Sequence, residues 1–223
     1  MPLAGQGMLL TSMDIASEHE ADFNRWYDRE HLEERVAIDG FLEARRYVAH
    51  QAHPKYLCLY STTTLQVLSS DAYLTRLANP TDWSRTTMAR FANMIRAVAR
   101  ITVSCGTGRG AVLGLVRLRS PAERIDNLRT ELTTKLKPAG LDGIISMHLI
   151  ESDAVLSGPT AELPAAAGAG DWFVLIDGTE VNAISTVMTA YFTGSATSTA
   201  SMVVSSGVYT LMWDLTKMEL ASR

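Results

Sequence analysis

Cysteine is nearly absent. Cys58 and Cys105 are the only two among 223 residues, too few to staple a secreted scaffold and wrongly spaced for a structural zinc site. Both read as reduced cysteines carried on strands. There is no basic stripe: the formal net charge is −4 with both signs spread along the chain, which excludes a nucleic-acid backbone or an anionic lipid surface as a partner. The first fourteen residues, MPLAGQGMLLTSMD, hold no basic residue and only a short apolar run, unlike a signal peptide. No uninterrupted apolar segment is long enough to span a bilayer. The expectation is a cytoplasmic protein without membrane contact.

Several chemical signatures are missing as well. No G-x-S-x-G elbow presents a serine nucleophile. The glycine-rich CGTGRG at 105–110 lacks both the dinucleotide spacing and the Lys-Ser/Thr ending of a phosphate loop, and reads as a linker. His50 and His53 flank a turn without an acid or cysteine placed to complete a metal site. His148 lies on a strand with no partner legible in sequence, so nothing makes it an axial haem ligand. No metal and no cofactor are expected.

Hydrophobic residues, by contrast, make up 47% of the chain, ample for a core. Their pattern runs strand (8–15), helix (18–36), strand (41–49), strand (56–61), helix (70–78), a second helical stretch (82–98) and strand (101–105). The same order follows in strand (111–119), helix (opened by Pro121), strands (144–151 and 172–177), helix (181–192) and strand (208–215). This is βαββαβ twice. It predicts an α+β fold made by tandem duplication of a ferredoxin-like unit, with a first repeat at 1–106 and a second, degenerate one at 107–223. A single unit leaves one sheet face bare. Two four-stranded antiparallel sheets packed face to face, helices outside, make an intramolecular α+β barrel. Tyr56, Tyr60, Trp172, Tyr209 and Trp213 stand on strands that could line its interior, or simply fill it. Two segments depart from the plan: 157–170, a flexible loop by composition, and the Ser/Thr-rich 194–207.

The chemistry concentrates in 20–47, EADFNRWYDREHLEERVAIDGFLEARRY. On a helix Phe23, Tyr27 and His31 stack at four-residue steps, with Trp26, Glu30 and Glu34 beside them. The matching positions of the second repeat are leucine-rich: Ile125, Leu128, Leu132, Leu136. Carboxylates where the partner repeat has leucines break a local rule, which marks a candidate site. Two roles stay open for each. His31 either fixes the turn at Asp39-Gly40 or acts as general acid/base. Glu30 and Glu34 either pair with Arg45 or Arg46 or tune His31.

Phe23, Trp26-Tyr27, Glu30-His31, Gly40-Phe41 and Arg45-Arg46-Tyr47 resemble the hallmark segment of EthD-like proteins in the dimeric α+β barrel superfamily. The resemblance covers about an eighth of the chain. It implies an α+β barrel whose wider relatives include cofactor-free monooxygenases, lactone isomerases and haem enzymes. It further implies a small, apolar or aromatic organic molecule as ligand, with His31 and Glu30 catalytic, and with Trp26, Tyr27, Glu34, Arg46 and Tyr60 binding. Arg46 is expected to hold an anionic substrate oxygen. The rival readings are a non-catalytic binding or assembly protein, a homodimer in either case, and a cofactor-free monooxygenase.

Overall fold

A computed structural model describes residues 3–159 and 167–222. Residues 160–166, half of the expected 157–170 loop, therefore lie outside the described residues. Eight strands close into one antiparallel barrel: β1 (Gly7–Asp14), β2 (Phe41–Gln51), β3 (Tyr56–Thr62), β4 (Ala92–Gly106), β5 (Val112–Leu118), β6 (Ile144–Ser152), β7 (Trp172–Gly178) and β8 (Val203–Thr216). Their order around the barrel is β1-β3-β2-β8-β5-β7-β6-β4. Each half contributes the ferredoxin order, β4-β1-β3-β2 and β8-β5-β7-β6. The halves are sewn together at two seams, β2 with β8 (Ala44 opposite Leu215) and β4 with β6 (Ile101 opposite Ile150). Closure leaves no sheet edge to pair with another chain.

Period-two alternation divides the apolar side chains into three layers. Leu10, Leu57, Leu59, Leu115, Phe173 and Leu175 belong to the cluster that fills the barrel. Tyr56 and Tyr60 face outward into a second cluster beneath the first-half helices, and Trp172 into a third beneath the second-half helices. Of the aromatics considered for the interior, Tyr209 alone points there; its hydroxyl donates to the Pro54 carbonyl at 3.0 Å. β3 and β7 are buried on both faces, hence their near-continuous LCLY and WFVLI runs. The VYTLMW run does not follow suit, since Met212 is exposed.

The first half is covered by α1 (Glu20–Trp26), a widened turn (Tyr27–His31), α2 (Leu32–Val36), α3 (Asp71–Ala78) and α4 (Asp82–Met88). The second is covered by α5 (Ile125–Lys135) and α6 (Val181–Met188), and α7 (Lys217–Ala221) follows β8. Gly40 enters β2 at φ +87°, where a Cβ would also meet Val67 at 2.5 Å. Lys217, at the end of the second half, donates to the carbonyls of Val36, Ala37 and Ile38 at 2.7–3.2 Å. A cation thus caps the C-terminus of the helix that bears the motif.

Two expectations fail. The stretch 82–98 is not one helix: α4 ends at Met88 and β4 starts at Ala92. Asn93 takes φ +52°, after which Met94, Arg96 and Val98 face the helices while Ile95, Ala97 and Ala99 face the barrel. Pairing with β1 satisfies this backbone (Leu9 opposite Val98) and overrides a three–four spacing that helix and strand happen to share. The Ser/Thr-rich 194–207 likewise ends in strand, because β8 begins at Val203. No helix among the described residues is long and apolar enough to cross a membrane.

Candidate active site

The motif helix contains a turn closed by i→i+5 hydrogen bonding, Leu32 N–H to the Tyr27 carbonyl. Such a turn inserts a residue into the helical register. Phe23, Trp26, Tyr27 and His31 stay on the buried face, and Leu32, Arg35 and Val36 continue it, while Glu30 and Glu34 rotate to the rim. The second-half counterpart, α5, is an ordinary α-helix that buries Leu128 and Leu132.

Each candidate residue can now be placed. Trp26 is fully buried and stacks on His31 with ring centroids 4.0 Å apart; Tyr27 meets His31 edge-on at 5.2 Å, and Tyr60 at 6.4 Å. Glu30 turns away from His31. Its Oε1 accepts from Thr81 Oγ1 at 2.6 Å, Ser84 Oγ at 3.0 Å and Trp26 Nε1 at 3.2 Å, fastening the motif helix to α4. Glu34 pairs with Arg76 at 3.4 Å. Arg46 lies under the aromatic cluster, 4.3 Å from the Tyr27 ring centroid, and donates to Asn24 at 2.5 Å and Asp28 at 3.1 Å. His148, for which no partner was legible in sequence, is fully buried between Ser104 and Ser146, with Asp177 3.6 Å away.

Tyr27, His31 and Tyr60 line one narrow, partly open cavity of about 50 Å³. It sits between the outer sheet face and the helices, not inside the barrel. Leu9 and Tyr73 close its depth; half-buried Leu77, Met88, Phe91 and Met94 form its rim. A water needs about 10–15 Å³ of such space, so the cavity as it stands holds a few waters' worth of ligand, and an aromatic ring requires the flexible methionines to yield.

Its polar lining is unusual. Among the described residues His31 Nδ1 and the Tyr60 hydroxyl are buried and make no close hydrogen bond. The Tyr27 hydroxyl makes a long contact to Met13 Sδ, at 3.9 Å, and the two phenols and the Cys58 thiol lie beside one another. Burial, then the charges of Arg35 and Arg46, hold the His31 imidazole well below its ordinary pKa, so it is neutral at pH 7. Burial pushes both phenols well up, which keeps them protonated donors. Two further residues, Arg35 and Arg96, complete the lining and were not singled out from sequence. The signal available for Arg35 was its place four residues after His31, where the buried stripe continues.

No protein-family model matches the sequence, and no curated protein does. Solved structures match the whole fold. An anthrone oxidase-like protein is 8% identical, with 95% of this chain and 93% of that one covered, at a TM-score of 0.64. A candidate monooxygenase from Fusobacterium nucleatum is 9% identical, with 96% of each chain covered, at 0.60. A mutant chlorite dismutase from Candidatus Nitrospira defluvii is 10% identical, with 98% and 95% covered, at 0.57. At such identities the likeness establishes the α+β barrel fold and nothing finer.

Proposed function

We propose that this chain is an EthD-like α+β barrel protein that binds a small apolar or aromatic molecule beneath its first-half helices and transforms it by cofactor-free acid/base chemistry. The observation that carries this reading is the cavity itself. Its body is apolar, and at one place it gathers a neutral imidazole and two protonated phenols, of which His31 Nδ1 and the Tyr60 hydroxyl make no close hydrogen bond to a described residue. Buried polar groups normally find partners, and those that do not are candidates for binding a substrate.

In this reading His31 exchanges a proton with the ligand. Trp26 holds the imidazole ring by stacking, and Tyr27 and Tyr60 donate to ligand oxygen. Glu30 and Glu34 support the helix through Ser84, Thr81 and Arg76 rather than touching the ligand. The division into a site-bearing repeat at 1–106 and a degenerate one at 107–223 belongs to the same proposal. So does the homodimer, which would have to form through helices or loops because the barrel is closed; light scattering distinguishes it from a monomer.

A thermal-shift and ligand-observed NMR screen of aromatic and lactone metabolites tests the reading. A ligand that stabilises the native protein should lose its effect in Leu77→Trp, which fills the rim, and in His31→Phe, which keeps a ring against Trp26. Ligands that bind equally well to both variants would place the site elsewhere. A second reading, oxygenation of an electron-rich aromatic without cofactor, draws support from the structural neighbours described as monooxygenase- or anthrone oxidase-like. Oxygen uptake dependent on the bound ligand would favour it over proton transfer alone.

A further inference from the structure

Five arginines are buried among the described residues: Arg35, Arg45, Arg46, Arg96 and Arg117. Three have carboxylate partners. Arg45 lies 2.8 Å from Glu43, Arg46 lies 3.1 Å from Asp28, and Arg117 lies 2.6 Å from Asp171. The other two, Arg35 (6% exposed) and Arg96 (4% exposed), make no ion pair with any described residue. Arg96 donates to the Leu156 carbonyl at 2.7 Å; among the described residues none accepts a hydrogen bond from the Arg35 guanidinium. Both of these unpaired arginines line the same cavity, one arriving from α2 and the other from β4. A buried guanidinium without a counter-charge is costly, and proteins ordinarily pair it. The lining also contains no carboxylate. Its remaining polar groups are phenols that donate, the Thr11 hydroxyl and an imidazole free to donate or accept.

We infer that the cavity is built for a ligand carrying a single oxyanion on an apolar body, and that Arg35 is its counter-ion, assisted by Arg96. This rests on the cavity being the ligand site. It narrows the substrate class to carboxylates and to phenolates or enolates, and moves the anion-holding role expected of Arg46 to a residue one helix turn beyond His31. A planar guanidinium suits such an oxygen pair better than an ammonium would. Leu77, Met88, Phe91 and Met94 would meet the apolar part. The charge arrangement further explains how a neutral His31 could take up a proton: an oxyanion beside Arg35 offsets the positive field that disfavours the imidazolium.

The test compares isosteric probes at fixed ionic strength by calorimetry: benzoate against benzamide, and 4-nitrophenol, whose phenolate alone absorbs in the visible. The native protein should bind benzoate at least about tenfold more tightly than benzamide, a difference of about 1.4 kcal/mol, or should shift 4-nitrophenol toward its phenolate. The first result identifies a carboxylate site, the second a phenolate or enolate site. Arg35→Met should abolish the discrimination while benzamide still binds. Its ligand-free melting temperature should hold or rise, because an unpaired charge has been replaced by an apolar chain. Equal binding of benzoate and benzamide to the native protein, with no shift of 4-nitrophenol, overturns the anion inference and leaves the cavity reading standing. No binding of any probe, together with an unchanged metabolite screen in Leu77→Trp, overturns both. Discrimination that survives Arg35→Met but disappears in Arg96→Met, or a fall of several degrees in ligand-free Arg35→Met, removes Arg35 from the role.

Discussion

Replacing Glu30 separates the two roles that the sequence leaves open for it. In the structure its Oε1 is the acceptor on which Thr81, Ser84 and Trp26 converge, joining the motif helix to the N-terminus of α4, where Thr81 also caps by accepting from Ser84 N–H at 3.0 Å. A hydrogen bond to a charged group contributes about 1.5–3 kcal/mol when buried. Glu30 is half-exposed, and Trp26 Nε1 keeps a second acceptor in Ser84 Oγ at 3.0 Å, so each of the two hydroxyl bonds is discounted to about 1 kcal/mol. Glu30→Ala should therefore cost about 2 kcal/mol. For a chain of this length that is a fall of roughly 4–8 °C in melting temperature. Glu30→Gln keeps a neutral acceptor and should cost about 1 kcal/mol. Differential scanning calorimetry reads both. Once a turnover assay exists, Glu30→Gln should retain activity, since the carboxylate does not face His31. A melting temperature within about 2 °C of native for Glu30→Ala, or a fully inactive but stable Glu30→Gln, would refute the structural assignment.

Three further outcomes follow from the same contacts. His31→Phe should hold or raise the melting temperature by about 1 kcal/mol equivalent, because it removes a buried ring nitrogen without a partner, while abolishing ligand-induced stabilisation; a large destabilisation would return His31 to a structural role. The lowered His31 pKa sets a pH signature. The unfolded chain takes up a proton on His31 below about pH 6.5 and the folded chain does not, because burial, Arg35 and Arg46 oppose it. Stability attributable to this group is thus complete above that pH and falls below it, by at most about 1.4 kcal/mol per pH unit; the difference between native and His31→Phe denaturation curves at pH 6.5 and 5.5 should show that slope. Finally, Asp177 receives Gly110 N–H at 3.3 Å and Ser146 Oγ at 3.4 Å and stands 4.0 Å from Arg45 across the barrel. Asp177→Asn should destabilise the barrel by about 2–3 kcal/mol, measured by chemical denaturation, and no change would mean that Arg45 does not depend on Asp177.

The parts of this architecture that sequence reveals are those governed by local periodicity. Apolar runs such as LCLY and WFVLI announce strands buried on two faces, and the repeated βαββαβ order leads to two sheets that must cover each other. The 82–98 stretch escaped because Phe91, Met94, Ile95 and Val98 fit a helical stripe as well as a strand's two faces, and pairing with β1 decides between them. The widened turn at Tyr27–His31 escaped for a different reason: nothing in YDREH announces an extra residue in the register. Without that turn Glu30 and Glu34 are read onto the buried face; with it they move to the rim and Arg35 is brought inward. An arginine near the end of a polar-looking helix reads as a solvated charge. Its burial, and the absence of an ion pair to any described residue although Glu33 and Glu34 precede it, are properties of the packed state alone.

The asymmetry of the two halves then has a specific physical origin. Beneath the second-half helices, Leu128, Leu132, Leu136, Val187, Met188 and Phe192 form a continuous cluster over β5 and β7. Arg129, next in sequence to Leu128, reaches outward to Glu151 at 2.9 Å and lies over Trp172. An arginine on this helix is therefore neutralised at the surface, and leucines complete the core. In the first half the widened turn carries Arg35 to a buried position without an ion pair to any described residue, and His31 Nδ1 and the Tyr60 hydroxyl make no close hydrogen bond beside it. Among the described residues, the buried side-chain polar atoms left without a partner thus all lie in the first half. One more residue inserted after Tyr27, beyond the one the turn already absorbs, would swing His31 and Arg35 about 100° around the helix axis. That insertion should abolish ligand binding while leaving the second half's packing intact, an outcome that the methyl NMR signals of Leu128, Leu132 and Val187 would report directly.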